Sequence, residues 1–266
     1  MTRVAPWLAL FAIAASVSCS RRVMAPSSSP ARDTPAITDG RSLLGAMRAR
    51  YDSGYYRTLS LTQNNTQYAG RGERKSRWRR RVAVPGKLRI DYYPLSDRSG
   101  VLFDGSRIHT FDNGRALDSQ PGINAFLLLT ADVYALPVER SVHLVDSLGF
   151  DLTTLRRDTL DGHPVYVVGA VAGDSTTSQF WVDADSLIAR RIVQSERVGA
   201  RDIVTDVRFT KFTTIGGFTM ATEVHRYRDG RLVFREDYVD VQVNEPIGED
   251  VFDSRKWEST ASSQLR

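Results

Sequence analysis

Few residues in this chain could do chemistry. Four histidines, His109, His143, His163 and His225, and a single cysteine, Cys19, are scattered through 266 residues. Zinc sites bring Cys and His ligands together at short, regular spacings, and no such spacing links these five. Asp183-Ala184-Asp185 has the opening of a calcium loop, but Ile188 holds the sixth position, where that loop needs glycine for its sharp turn. A solvated turn is the better reading. Carboxylate pairs occur, but the sequence places none of them in a pocket, so no general acid–base role follows.

Gly173-Asp174-Ser175 is the one serine motif of interest. In GDSL-type esterases such a triplet lies near the start of the domain and is answered by a late Asp-x-x-His. Here it falls between two mid-chain strand patterns, and the residue three before His225 is Thr222. No Gly-x-Ser-x-Gly elbow occurs. The triplet reads as a turn, the chain as a non-enzyme, and no cofactor is implied.

The densest charge is basic. Arg71, Arg74, Lys75, Arg77, Arg79, Arg80 and Arg81 crowd one segment of a chain whose net charge is +5. In a cytosolic protein such a run would raise nucleic acid as a partner. In an exported one it meets anionic lipid headgroups, each basic residue contributing on the order of 1 kcal/mol near the surface. The plain alternative is a solvated outer strand face.

Export is what the N-terminus indicates. Arg3 precedes residues 4–17, VAPWLALFAIAASV, a charge-free run short of the roughly 20 apolar residues that span a bilayer. Ser16-Val17-Ser18-Cys19 follows. This resembles a bacterial lipoprotein signal, with Ser16 where leucine is commonest. The resemblance implies a signal peptide over 1–18 and acyl chains on Cys19, which stably hold a protein to a membrane. Ser20 after the cysteine, rather than Asp, fits outer-membrane delivery under the sorting rule of some Gram-negative bacteria. A secretory signal with an incidental cysteine, or an uncleaved anchor, is the alternative. Residues 19–37, rich in Ser and Pro, read as a flexible tether; no transfer to nucleic acid is expected of such a protein, so that partner drops out.

The domain that must carry any function then runs over 38–266. Thr38-Asp39 can cap a helix through Leu43, Leu44, Met47 and Tyr51, with Gly54 ending it. From Tyr56 the pattern has period two: 56–68, 71–84, 87–93, 100–103 and 107–111, with Asp-Gly and Asn-Gly turns. Residues 123–134, INAFLLLTADVY, and 138–148 are helical. Strands return near 152–159, 163–171, 176–183, 187–197, 201–214, 218–228 and 231–243. Consecutive strands joined by short turns make an antiparallel meander. The expected fold is α+β: one large curved antiparallel sheet, a half-open β-barrel, with about three helices covering its concave face.

Several segments carry a further resemblance: Gly86-Lys87-Leu88-Arg89-Ile90-Asp91, Leu102-Phe103-Asp104-Gly105, Asp161-Gly162-His163-Pro164-Val165-Tyr166 and Phe180-Trp181-Val182-Asp183 with the following Leu187 to Ile192. In order, and with the helix placement, they resemble the LolA/LolB lipoprotein-carrier superfamily over residues 38–252. The resemblance implies a helical lid over an apolar cavity, and partners that are acyl chains of lipids or lipoproteins. It is equally compatible with an envelope sensory or structural module that binds a protein. It also implies an apolar residue protruding from a strand–strand loop into lipid, for which Leu95 is the candidate.

The pattern of the strands adds its own expectation. Two or three short helices cannot fill so large a sheet to normal core density, so a gap should remain. Its expected lining is Trp78, Leu88, Ile90, Phe103, Phe126, Leu129, Tyr166 and Trp181. Anionic headgroups are expected to meet Arg71, Arg74, Lys75, Arg77 and Arg79.

Overall fold

Asp39 caps the first helix. Its carboxylate accepts from the Ser42 backbone N–H at 2.7 Å while the Ser42 hydroxyl accepts from the Asp39 N–H, a reciprocal cap that opens helix α1, Gly40–Arg50. Leu43, Leu44 and Met47 fall on one side and are buried. The computed structural model describes residues 36–262 except Arg71; the expectations for residues 1–18, Cys19, most of the tether and Arg71 lie outside these.

Thirteen strands follow, in one open antiparallel sheet. They are β1 Thr58–Ala69, β2 Gly72–Ala83, β3 Lys87–Tyr92, β4 Gly100–Asp104, β5 Arg107–Asp112, β6 Arg115–Pro121, β7 Leu155–Leu160, β8 His163–Val168, β9 Gln179–Asp183, β10 Ala189–Val198, β11 Arg201–Ile215, β12 Phe218–Arg228 and β13 Arg231–Val243. Their spatial order is β6-β5-β4-β3-β2-β1-β13-β12-β11-β10-β9-β8-β7. Each strand therefore lies beside its sequence neighbour except at one seam, where β1 pairs with β13 and Leu59 faces Val243. The expected meander is present, with an additional edge strand, β6, that the sequence pattern does not announce.

Between β6 and β7 the chain forms α2, Ala125–Thr130, and α3, Val138–Ser147. The helix expected over 123–134 is interrupted at Ala131, whose φ of −141° and ψ of −56° are not helical, and continues as a single 3-10 turn over Asp132–Tyr134. Asn124 caps α2 by accepting from the Leu127 N–H. These helices and α1 cover the inner face of the sheet. Leu43, Leu44, Leu128, Leu129, Tyr134 and Val145 meet Val168, Phe180, Val182, Ile192, Phe209 and Val224 from β8–β12. Each such side chain taken out of water contributes roughly 1.5–3 kcal/mol before entropy is counted.

The outer face is covered as well, over β3–β5. After β13 the chain turns through residues 249–256 into α4, Trp257–Ser262. Val251, Phe252 and Trp257 pack on Leu102 and Phe111, and the Trp257 ring stacks on Phe111 at 4.1 Å. Gly100 lies beneath that indole: a Cβ there would stand 2.9 Å from Trp257 and 2.0 Å from the Ile90 carbonyl oxygen. Arg89, fully buried, places its guanidinium 3.8 Å from the centre of the Trp257 ring.

Candidate functional site

On β2 the period of two aims Trp78, Arg80 and Val82 at the helices. Their partners on β3 are Tyr92, Ile90 and Leu88; Leu88 faces Phe103 on β4, and Phe103 faces Ile108 on β5. Opposed residues in an antiparallel pair share a face. In the other half, Ile192 and Gln194 on β10 face Val207 and Thr205 on β11, and Val207 faces Arg226 on β12. These two sets, apart from Val82 and Tyr92, line with Gln63, Glu236 and residues 123–126 at the start of α2 a half-open cavity of about 290 Å³. The helices pack on the sheet mainly over β8–β12, and from α2 only Ala125 and Phe126 reach the cavity wall.

The cavity has two characters. Leu88, Ile90, Phe103, Ile108 and Ile123 make one end apolar. At the other, Arg80 donates to the Tyr238 hydroxyl at 3.0 Å, Tyr238 donates to Glu236 Oε2 at 2.6 Å, and Arg226 donates to Glu236 Oε1 at 3.3 Å. Burial pushes the Tyr238 phenol well above its ordinary pKa, so it stays a neutral donor. The Arg80 guanidinium also lies 4.6 Å from the centre of the Phe126 ring. Arg80 and Phe126 together separate this cavity from a smaller one of about 60 Å³, walled by Tyr55, Leu59, Leu61 and Met220 among others. A third void, about 140 Å³, lies between the β2–β3 turn and the helices, with Asp132 and Leu127 in its wall. The first turn of α2 thus stands among three unfilled spaces.

No family model matches the sequence, and no curated protein matches it significantly. Solved structures do. A LolA superfamily protein from Nitrosomonas europaea superimposes with a TM-score of 0.54 at 15% identity, over 82% of this chain and 98% of that one. A DUF1329 family protein from Desulfovibrio piger gives 0.54 at 13%, over 80% and 95%. A domain described as outer membrane lipoprotein-sorting, from Vibrio parahaemolyticus, gives 0.50 at 10%, over 82% and 98%. The fold is LolA-like. At these identities the likeness is one of fold.

Within this LolA-like fold the residues expected to line a cavity divide. Trp78, Leu88, Ile90, Phe103 and Phe126 surround the 290 Å³ space. Leu129 and Tyr166 are on the same side but are packed into the core beneath the helices. Trp181 is on the opposite face, a correction to its expected place. Phe180 and Val182 point inward, while Trp181 packs with Val165 and Val167 between the guanidiniums of Arg156 and Arg191. All five residues of β9 are buried, so exposure does not separate its faces; only the polar Gln179 and Asp183, in register with Trp181, mark that side as the outer one.

The basic run divides too. Lys75, Arg77 and Arg79 share the outer face, where Arg79 pairs with Asp91 and Arg77 covers the Tyr93 ring; Arg74 aligns with Gln67 on the inner face at the exposed end of β2. Arg80 is inside. The sequence did carry a signal for it: a cation in register with Trp78 and Val82 is on the apolar side of its strand. The partners Gln63, Arg226 and Glu236 have no comparable mark. Leu95 is half-buried in a 3-10 turn, Leu95–Asp97, rather than protruding; Tyr93 beside it is the more exposed, at 38%.

The alternative chemistries are occupied by structural work. Asp174 is tied to the backbone and hydroxyls of Thr176 and Thr177 within its own turn. Asp183 accepts from Ser186 and from Arg190 Nε at 2.6 Å. His109 contacts Asp104 at 2.8 Å and His225 contacts Glu223 at 3.1 Å, whereas His143 is exposed on α3. Among the described residues, no three His, Cys, Asp or Glu side chains gather to hold a metal.

Proposed function

We propose that this chain is a lipid-anchored protein of the bacterial envelope whose folded domain takes acyl chains, of lipids or lipoproteins, into the cavity under α2, for their sorting or transfer. The observation that carries the reading is the apolar end of that cavity, walled by Leu88, Ile90, Phe103, Ile108 and Phe126 and left open by helices too short to fill it. A concave, mostly apolar space with a few polar groups at one end is what a hydrocarbon ligand needs. The LolA-like fold, shared with a domain described as lipoprotein-sorting, supports the same reading. Exposed Arg74, Lys75 and Arg77 provide positive charge that a phospholipid surface would meet.

A fluorescent fatty-acyl probe is the direct test. It should bind the soluble chain with saturable enhancement, and Phe126→Asp should abolish binding with the far-UV circular dichroism unchanged. Phe126 suits this test because it borders two voids, whereas Leu129, in the packed core, does not. Saturable binding that survives Phe126→Asp would place the ligand elsewhere; no binding at all would remove the reading and leave a protein-binding module ahead.

The anchor is tested separately. Cys19→Ala is expected to move the protein from the membrane pellet to the soluble fraction, because the acyl chains supply about 0.8 kcal/mol per buried methylene and nothing else replaces them. A variant that still sediments with membranes after a salt wash would contradict lipidation at Cys19.

A further inference from the structure

The polar end of the cavity carries more positive charge than it neutralises. Its lining holds two guanidiniums, Arg80 and Arg226, and one carboxylate, Glu236. Glu236 is buried and already bonded to Tyr238 and Arg226. Arg80 is only 7% exposed, and its Nε is among the buried polar atoms with no hydrogen-bond partner. Gln63, 1% exposed and also in the wall, has an unpartnered Oε1. Buried polar groups are ordinarily paired, and a buried cation more so. The orphaned Arg80 Nε–H, a donor, marks a position for an acceptor atom of a ligand; Gln63 Oε1, itself an acceptor, needs a donor and takes no part in holding an anion.

We infer that the cavity takes a single-chain amphiphile with an anionic head, a carboxylate or phosphate monoester, whose charge lies against Arg80 and Arg226 while its chain runs past Phe126 toward Leu88, Phe103 and Ile108. The inference rests on the acyl-binding reading above and narrows its ligand class. Arg226 is the outer of the two cations, its side chain 42% exposed, so it sits where a head can keep contact with water. Arg80 is the inner one, fixed by Tyr238 and by the face of Phe126. Guanidinium forks match carboxylate and phosphate oxygens in pairs. The size suits one chain rather than several: about 290 Å³ is just below the roughly 300–1,000 Å³ of small-molecule sites.

The test compares 11-(dansylamino)undecanoic acid with its methyl ester on the Cys19→Ala chain. The acid is expected to bind at least about 10-fold more tightly than the ester, a difference of one charge-assisted contact. Arg226→Gln should remove that preference by weakening the acid alone, and Arg226→Lys should restore part of it. Since Arg226 is half-exposed, these variants keep the fold, which thermal melting checks. Equal binding of acid and ester, unmoved by Arg226→Gln, would overturn the anionic head while acyl binding stood. Failure of both probes to bind would overturn the two together.

Discussion

Asp91→Ala is expected to cost roughly 3–5 kcal/mol of folding stability, the loss seen when one partner of a buried ion cluster is removed and the other charges stay behind. Three guanidiniums converge on this carboxylate: Arg81 at 2.7 Å, Arg89 at 2.8 Å and Arg79 at 3.4 Å. Burial alone would raise the Asp91 carboxyl, but the three arginines outweigh it and hold it below the ordinary range. Burial likewise lowers Arg81, to about 10, and Arg89 is lowered for the same reason. The cluster anchors the C-terminal segment, because Arg89 also donates to the Val251 and Trp257 carbonyls. Urea unfolding at neutral pH measures the loss. The sign with pH follows from the lowered Asp91 value: its contribution is complete above the unfolded carboxylate pKa and is lost as acid takes the pH below it. An Asp91→Ala loss under about 1 kcal/mol would mean that water replaces the carboxylate, as at an exposed pair.

Asp132→Asn should act in the opposite direction. Asp132 is buried in the 3-10 turn after α2 and accepts from the Gly86 backbone N–H at 2.8 Å, tying the helices to the β2–β3 turn. Burial raises its pKa from 3.8 to about 7, only partly offset by that hydrogen bond. A folded-state value above the unfolded one means the folded protein holds the proton more tightly. Stability therefore falls as pH rises from about 4 to about 7 and is level beyond, where the ionised carboxylate is carried in full. Asparagine keeps the acceptor for Gly86 and has no proton to lose. The variant should gain roughly 1–3 kcal/mol over the parent at pH 8 relative to pH 5, at 1.36 kcal/mol per pKa unit. Paired urea titrations at the two pH values decide it; a constant difference would show that Asp132 ionises normally.

Much of this architecture is written in local pattern. The Asp39 cap, the apolar side of α1 and the alternation of β1 and β2 all correspond to elements in place, as does the antiparallel meander. What escapes has a common cause. Where both faces of the sheet are covered, burial no longer separates inside from outside: Leu88 and Arg89 are both buried, one beneath Leu127 and Ala131 and one under Trp257, and β9 is buried throughout. At the opposite extreme, β6 is exposed along its whole length, so it too lacks a period to read. Arg80 is legible by register, but composition groups it with its charged neighbours, because a run of arginines looks like a surface.

The single seam between β1 and β13 governs when the cavity comes into being. Every other strand pair joins neighbours in sequence, so the two halves of the sheet are rich in local contacts of the kind that form fast. The β1–β13 pairing instead closes a loop from Leu59 to Val243, nearly the whole domain, and must await a late and entropically costly encounter. The cavity straddles that seam: Trp78, Leu88 and Phe103 come from one half, Ile192, Val207, Arg226 and Glu236 from the other. Neither half alone supplies the cavity's full lining. The full lining of the cavity is therefore assembled only when β13 is docked on β1, and on the function proposed above a partly folded chain would have no site for an acyl chain.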